Sequence, residues 1–233
     1  MHFLSQLAHT LKYNLPGERA HLPLSPLHRP VTSEVIQNLT EYKESAVAVV
    51  LFEVEKIVHC ILIQRTEYTG KHSGQISFPG GKKDKEDIDL VTTAKRECLE
   101  EVGVDISSAE YLGKLSQVYI PVSGFLVEPH VFYYPEVPVF VQQEREVAAV
   151  FTISLDELLS EDVISEMKVE TENKLVKMKV PCFAIRDKQI WGATALILNE
   201  LRETVRVTEV TNVTSDGLST GSKTEMTSYR RDE

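Results

Sequence analysis

Cysteine is scarce in this 233-residue chain, with only Cys60, Cys98 and Cys182, far apart in sequence. Three cysteines are too few for a four-cysteine zinc site, and an odd, scattered set reads as reduced thiols, so the expected location is the cytoplasm. Long apolar runs are missing too. No stretch reaches the length a bilayer demands, and residues 1–15 lack the apolar core and small-residue cleavage site of a signal peptide. Residues 231–233, Arg-Asp-Glu, are not a peroxisomal address. No membrane partner is therefore expected. Basic charge is in deficit: 25 Lys and Arg against 35 Asp and Glu leave a net charge of −10. Phosphate backbones demand basic faces, so nucleic acid is not an expected partner. A small anionic ligand stays open, because a local basic patch or a bound metal overrides the global sign. No internal repeat occurs at solenoid spacing.

What is present suits one domain with modest additions. Residues 3–14 carry Phe3, Leu4, Leu7 and Leu11 at helical spacing, a Pro- and His-rich loop follows, and residues 33–42 predict a second helix with Ser33 as its cap. From residue 45 the character changes. Residues 46–52 and 57–65 predict a β-hairpin. Residues 66–89, with four glycines and a proline, predict a long loop region. A helix is expected over 90–102, closed by Gly103. Strands are expected at 111–119, 125–134 and 148–153, then a short helix at 155–159, a strand within a second hairpin at 175–185, and a closing helix at 193–205. Residues 213–233 are rich in Thr, Ser and charge, a composition that predicts a disordered tail. The expected division is an N-terminal helical extension (1–44), a main domain (45–212) and that tail.

The helix over 90–102 carries the chemistry. At about 100° per residue, Glu97, Glu100 and Glu101 fall within one arc of roughly 100°. Val91, Ala94, Cys98 and Val102 lie on another face, suited to packing on a sheet. Three crowded carboxylates repel one another, and a hard divalent cation with oxygen ligands offsets that cost. The plain alternative is a solvated acidic face. Arg96 beside the acids, the glycine pair Gly80-Gly81 ahead of the helix and Gly103 behind it favour function.

Residues 96–104, Arg-Glu-Cys-Leu-Glu-Glu-Val-Gly-Val, resemble the second half of the Nudix box, G-x5-E-x7-R-E-U-x-E-E-x-G-U with U aliphatic. The first half departs. Asp87 stands where the box has glutamate, and eight residues rather than seven separate it from Arg96, which weakens any role for Asp87. The resemblance implies an α/β fold, an α/β/α sandwich around a mixed β-sheet, and hydrolysis of a nucleoside diphosphate linked to another group. It implies Glu97 and Glu101 as ligands of magnesium or manganese, with Glu100 assisting and Arg96 orienting the acids. Glu146, in a stretch resembling the family's downstream acidic segment, is a candidate metal ligand or general base; Glu144 reads as an exposed acid.

Residues 65–81 are similar to the signature of the coenzyme A diphosphatase branch, L-L-T-x-R-S/A-x3-R-x3-G-x3-F-P-G-G. Arg65, Gly74 and Phe78-Pro79-Gly80-Gly81 match at the right spacing, while Gly70 replaces the second arginine with Lys71 beside it. Residues 122–125 and 190–195 are also similar to that branch. Coenzyme A is the substrate this resemblance implies, cut to 3′,5′-ADP and 4′-phosphopantetheine. Arg65, Lys71, His72, Gly80 and Gly81 are the expected substrate-binding set, since glycines permit close backbone approach and cations suit phosphate. Lys82, Lys83 and Lys85 read as solvated. Cys98 reads as a small buried residue and Trp191 as packing. The rival readings are a Nudix enzyme acting on ADP-ribose or a dinucleotide, and a non-catalytic Nudix sensor. A homodimer is left open.

Overall fold

Leu7 and Leu11, one turn apart, form the buried side of α1 (His2–Tyr13). The structure, a computed structural model, describes residues 2–27, 29–67, 73–170 and 177–217. Where the sequence suggested only loop, a 3-10 stretch (Gly17–Leu24) buries Ala20, His21 and Leu24. Next, α2 (Thr32–Ile36) is shorter than the helix expected over 33–42, and Ser33 does not cap it. Val31 takes the cap position in extended conformation, while the Ser33 N–H, already inside the first turn, donates to Glu18 Oε1 at 2.9 Å. Beyond Ile36, Asn38 N–H and Leu39 N–H bond three residues back, to Val35 O and Ile36 O, which closes turns and ends the α-helix.

The predicted hairpin is β1 (Lys43–Val54) and β2 (Ile57–Arg65), joined through Glu55 and Lys56 at φ 50° and 68°, the backbone of a primed turn. The region 66–89 is not all loop. It contains β3 (Ile76–Ser77), paired to β2, and β4 (Gly80–Lys82), paired to β1, so this short segment wedges between the two long strands where they part. Helix α3 (Leu90–Val102) follows, capped by Asp89, which accepts the Thr92 N–H at 2.7 Å, and closed by Gly103 at φ +72°. The strand expected over 111–119 is broken into β5 (Glu110–Lys114) and β6 (Val118–Ile120). Between them the Ser116 N–H and hydroxyl both turn to the Glu200 carboxylate, at 2.9 and 2.7 Å, in place of a neighbouring strand.

Strand β7 (Phe125–Tyr133) runs parallel to β1, and β8 (Val147–Ser154) antiparallel to β2. A capping box of Ser154 and Glu157 starts α4 (Leu155–Leu159). Then β9 (Ile164–Glu170) pairs with β10 (Lys177–Ile185), and β10 with β11 (Lys188–Trp191), a second, antiparallel sheet that contains the expected second hairpin. Of the strand expected over 175–185, residues 175 and 176 lie outside the described residues. Helix α5 (Gly192–Gly217) continues through residues 213–217, where the tail was expected to begin; residues 218–233 lie outside the described residues.

Period-two alternation sorts the core into two layers. Along β1, Ala46, Ala48, Val50 and Phe52 face α3, where Ala94, Cys98 and Val102 meet them. Val49 and Leu51 face the other way, toward Leu7, Leu11, Leu24, Leu198 and Leu201 of α1, the 3-10 stretch and α5. The result is helices on both faces of a mixed sheet, the expected α/β/α sandwich. Full burial of each such leucine is worth about 1.5–3 kcal/mol. Polar pins reinforce the second layer: Asn199 Nδ2 donates to Ala20 O at 2.6 Å, and His21 Nε2 lies 3.0 Å from the fully buried Glu200. The N-terminal extension therefore shares its core with α5.

Candidate active site

The wedge of β3 and β4 sets the site. Its Phe78 is buried, Pro79 O accepts the Ala48 N–H at 2.8 Å, and the following glycines press closely against their neighbours. A Cβ on Gly80 would lie 2.4 Å from Ala46 O, and one on Gly81 2.4 Å from Glu97 Oε1. Neither glycine has positive φ. Both are there for close approach, Gly80 to the strand and Gly81 to a carboxylate of α3.

On α3 the three glutamates share a side but not an environment. Glu101 is buried, 2% exposed; its Oε2 accepts the Gly80 N–H at 2.8 Å, and its Oε1 lies 3.3 Å from Arg65 Nη1. Its backbone oxygen accepts the Gln143 N–H at 3.0 Å, which ties the segment before β8 to the helix. Glu97 is half-buried and accepts from Arg96 Nη1 at 2.9 Å. Glu100 is exposed and accepts from the same nitrogen at 3.1 Å. Burial pushes the Glu101 carboxyl up to about 7, with Gly80 N–H and Arg65 pulling against it and the charges of Glu97 and Glu146 adding to it. Burial also raises Glu97, against the pull of Arg96 and with the charges of Glu100 and Glu146 adding to the rise. Glu146, whose charge bears on both, is exposed.

These partly buried, mutually repelling carboxylates fit a hard divalent cation, which uses few protein oxygens and completes its shell with water and phosphate. Among the described residues no three acidic, histidine or cysteine side chains come together to hold a metal ion, so the expected trio Glu97, Glu100 and Glu101 does not converge. Glu97 and Glu101 are the pair that would hold the ion, with Glu100 turned outward beside Arg96.

Arg96 is the organiser. Its Nε and Nη2 grip Asp87 Oδ1 and Oδ2 at 3.1 and 2.9 Å, Nη2 also reaches Lys82 O at 3.1 Å, and Nη1 serves the two glutamates. The altered spacing, which weakened the expectation for Asp87, does not keep it from anchoring Arg96. Buried Asp87 also accepts Thr93 Oγ1 and the Asp84 N–H, both at 2.9 Å, and Arg96 chiefly holds its carboxyl far below the usual carboxylate range. The extra residue of the box is absorbed in the turn between Asp84 and the Asp89 cap, where the Asp87 N–H bonds Asp84 O at 3.2 Å. An acid placed between the glycine pair and the arginine was the available signal.

Arg65, expected to bind substrate, sits against Glu101, with its side chain 24% exposed. Gly80 and Gly81 flank the glutamates. Lys71 and His72 lie outside the described residues. Lys83 pairs with Glu44 at 3.6 Å, and Lys82 and Lys85 are exposed. Cys98 is fully buried, and burial pushes its thiol up to about 12. No helix among the described residues is long and apolar enough to cross a membrane.

Comparison with known proteins bears on this geometry. The NUDIX domain model matches residues 42–172. An uncharacterized Nudix hydrolase of Yersinia pestis (strain Pestoides F), NudL, is 35% identical over 147 residues, which are 63% of this chain and 72% of that protein. NudL of Yersinia pseudotuberculosis serotype O:1b gives the same figures. Among solved structures, the NUDIX domain of Shewanella oneidensis NrtR complexed with ADP ribose is 18% identical, covering 56% of this chain and 87% of that one, at a TM-score of 0.42. A C. elegans Ap4A hydrolase binary complex is 13% identical, covering 74% and 98%, at a TM-score of 0.45. Structural likeness at this level carries no argument about the substrate.

Proposed function

Because this chain belongs to the Nudix family, hydrolases acting on pyrophosphate bonds, we propose that its substrate is coenzyme A, cut to 3′,5′-ADP and 4′-phosphopantetheine. The observation that carries the reading is the segment 65–81. Its similarity to the coenzyme A branch is a matter of spacing, and in the fold the two ends of that segment meet at one carboxylate. Arg65 Nη1 and Gly80 N–H approach opposite oxygens of Glu101 at 3.3 and 2.8 Å. Arg65 and Gly80, near the two ends of the segment, therefore both stand beside the glutamates.

A divalent cation, magnesium or manganese, would neutralise the diphosphate there and lower the pKa of a bound water. The chain's own residues supply the positioning. Arg96, anchored on Asp87, fixes Glu97 and Glu100; Gly80 N–H and Arg65 fix Glu101. In the reaction a water oxygen bonds to phosphorus, the bridging P–O bond breaks, and Glu146 takes the water's proton as general base. Positioning and charge stabilisation do most of the work in such chemistry.

Measuring kcat/KM for coenzyme A, its 3′-dephospho form and ADP-ribose, with and without magnesium, tests the reading. A charge-assisted contact to the 3′-phosphate is worth about 1.5–3 kcal/mol, or roughly tenfold to a hundredfold in favour of coenzyme A over its dephospho form. Equal rates on those two would remove the 3′-phosphate from the account. The second reading, ADP-ribose, is favoured by Gly70, which leaves the branch's second arginine unfilled, since Lys71 cannot form a bidentate fork. Faster ADP-ribose cleavage would establish it. Glu97→Gln and Glu101→Gln are expected to lower turnover by orders of magnitude, and near-native activity in either would remove that residue from the ion site.

A further inference from the structure

The end of β2 faces two ways. Successive strand residues point to opposite sides of a sheet. Arg65 turns to Glu101, whereas Gln64 turns to the other face and lines a cavity of 490 Å3. The cavity lies between the wedge and the second sheet, and none of the residues argued above to do chemistry lines it. Ile76, Met167, Val169 and Trp191 give it apolar walls, and Gln64 and Gln189 contribute carboxamides. Its charges are matched, because Lys188 lies 3.3 Å from Asp187. Lys188 Nζ also donates to Gln64 Oε1 at 3.4 Å, leaving the Gln64 amide nitrogen as the donor a ligand carbonyl would meet.

We propose that this cavity receives the pantetheine arm of the substrate. The assignment rests on the coenzyme A reading. A cavity with its lysine already paired is a poor seat for a phosphate, so the 3′-phosphate end does not belong in it. The arm is an uncharged chain in which aliphatic stretches alternate with amides, and the walls offer apolar side chains and carboxamides to both. Reach is short. Arg65 N–H donates to Gln75 O at 3.0 Å, and Gln75 lines the cavity, so the glutamate site and the cavity share one strand end. A chain leaving the diphosphate needs to round only that end, and neighbouring strands are roughly 5 Å apart.

Calorimetric titration of the full chain in magnesium, with 4′-phosphopantetheine and separately with 3′,5′-ADP, tests the proposal without turnover. Val169→Trp fills the cavity; Gln189→Ala, at an exposed position, removes one carboxamide with little risk to folding. Val169→Trp is expected to weaken 4′-phosphopantetheine about tenfold or more, and Gln189→Ala by roughly threefold to tenfold, the effect of one neutral hydrogen bond. Binding of 3′,5′-ADP should stay within twofold in both, which also reports an intact fold. Equal weakening of both ligands at an unchanged Tm would place the adenosine half in the cavity and overturn the proposal. Unchanged 4′-phosphopantetheine binding in both variants, or none by the parent chain, would overturn it as well. Hydrolysis of coenzyme A by the parent chain is scored separately, and its absence alone would sink the substrate reading while the arm's binding is read directly.

Discussion

Replacing Gly81 with alanine would put a methyl carbon 2.4 Å from Glu97 Oε1, 2.6 Å from its carboxyl carbon and 2.8 Å from Oε2. Contact distances of this kind are ordinarily above 3 Å, so the carboxylate must retreat by about 1 Å, and a displacement of that size at a reacting centre costs on the order of a hundredfold in rate. The atoms in the way are the far end of a flexible side chain, so the fold itself has no reason to suffer. Gly80→Ala is the contrasting case. There the methyl would meet Ala46 O at 2.4 Å and Val47 Cα at 2.6 Å, both in the backbone of β1, which cannot step aside. Overpacking against backbone costs about 2–3 kcal/mol, near the upper end of the usual range. For a chain of this size that lowers Tm by roughly 5–10 °C. Thermal melts and kcat/KM on a diphosphate substrate in magnesium separate the two. The expected pattern is a near-native Tm with about a hundredfold loss of activity for Gly81→Ala, and a clear fall in Tm for Gly80→Ala. Native activity in Gly81→Ala, or equal melting of the two variants, would refute the claim that Gly81 is there to admit Glu97.

Asp87→Asn should lower stability by about 2 kcal/mol, because it weakens the clamp on Arg96 at a pair that is shielded from water yet close to the surface. Asp84→Asn, 4.0 Å from Arg96 and 68% exposed, should change it by less than about 0.5 kcal/mol; denaturant midpoints that agree for the two would contradict the clamp. Glu128 lies 3.2 Å from His130 Nε2, off the hydrogen-bond axis, and accepts Lys114 Nζ at 2.8 Å; His130 first and Lys114 after it hold its carboxyl down at about 2. A folded value below the unfolded one, about 4.3, means a stabilisation fully present above pH 4.3 and lost as pH falls toward 2. The Tm gap between the parent chain and Glu128→Gln should therefore narrow between pH 5 and pH 2, and a gap that widens would reverse the assignment. His21→Ala leaves the buried Glu200 carboxylate short of a partner and should cost about 1–3 kcal/mol in urea unfolding; an unshifted midpoint would show that the N-terminal extension does not depend on that contact.

How much of this was legible beforehand follows the range of the forces involved. The sequence by itself determined α3, its inward face of Ala94, Cys98 and Val102, its closing Gly103 and the glutamates on its outer side, because helix periodicity and capping act within a few residues. The hairpin of β1 and β2 was equally local. Tertiary structure alone decided the rest. The strand over 111–119 breaks because Glu200, 84 residues away from Ser116, takes that residue's donors. The role of Asp87 was hidden because motif spacing counts residues along the chain, whereas Arg96 meets Asp87 across a turn that absorbs one more. Glu97, Glu100 and Glu101 looked alike in sequence, yet Glu101 is buried against Gly80 and Arg65 while Glu100 stands in water. That difference comes from which strands the wedge of β3 and β4 parts, a long-range packing outcome that local periodicity does not encode.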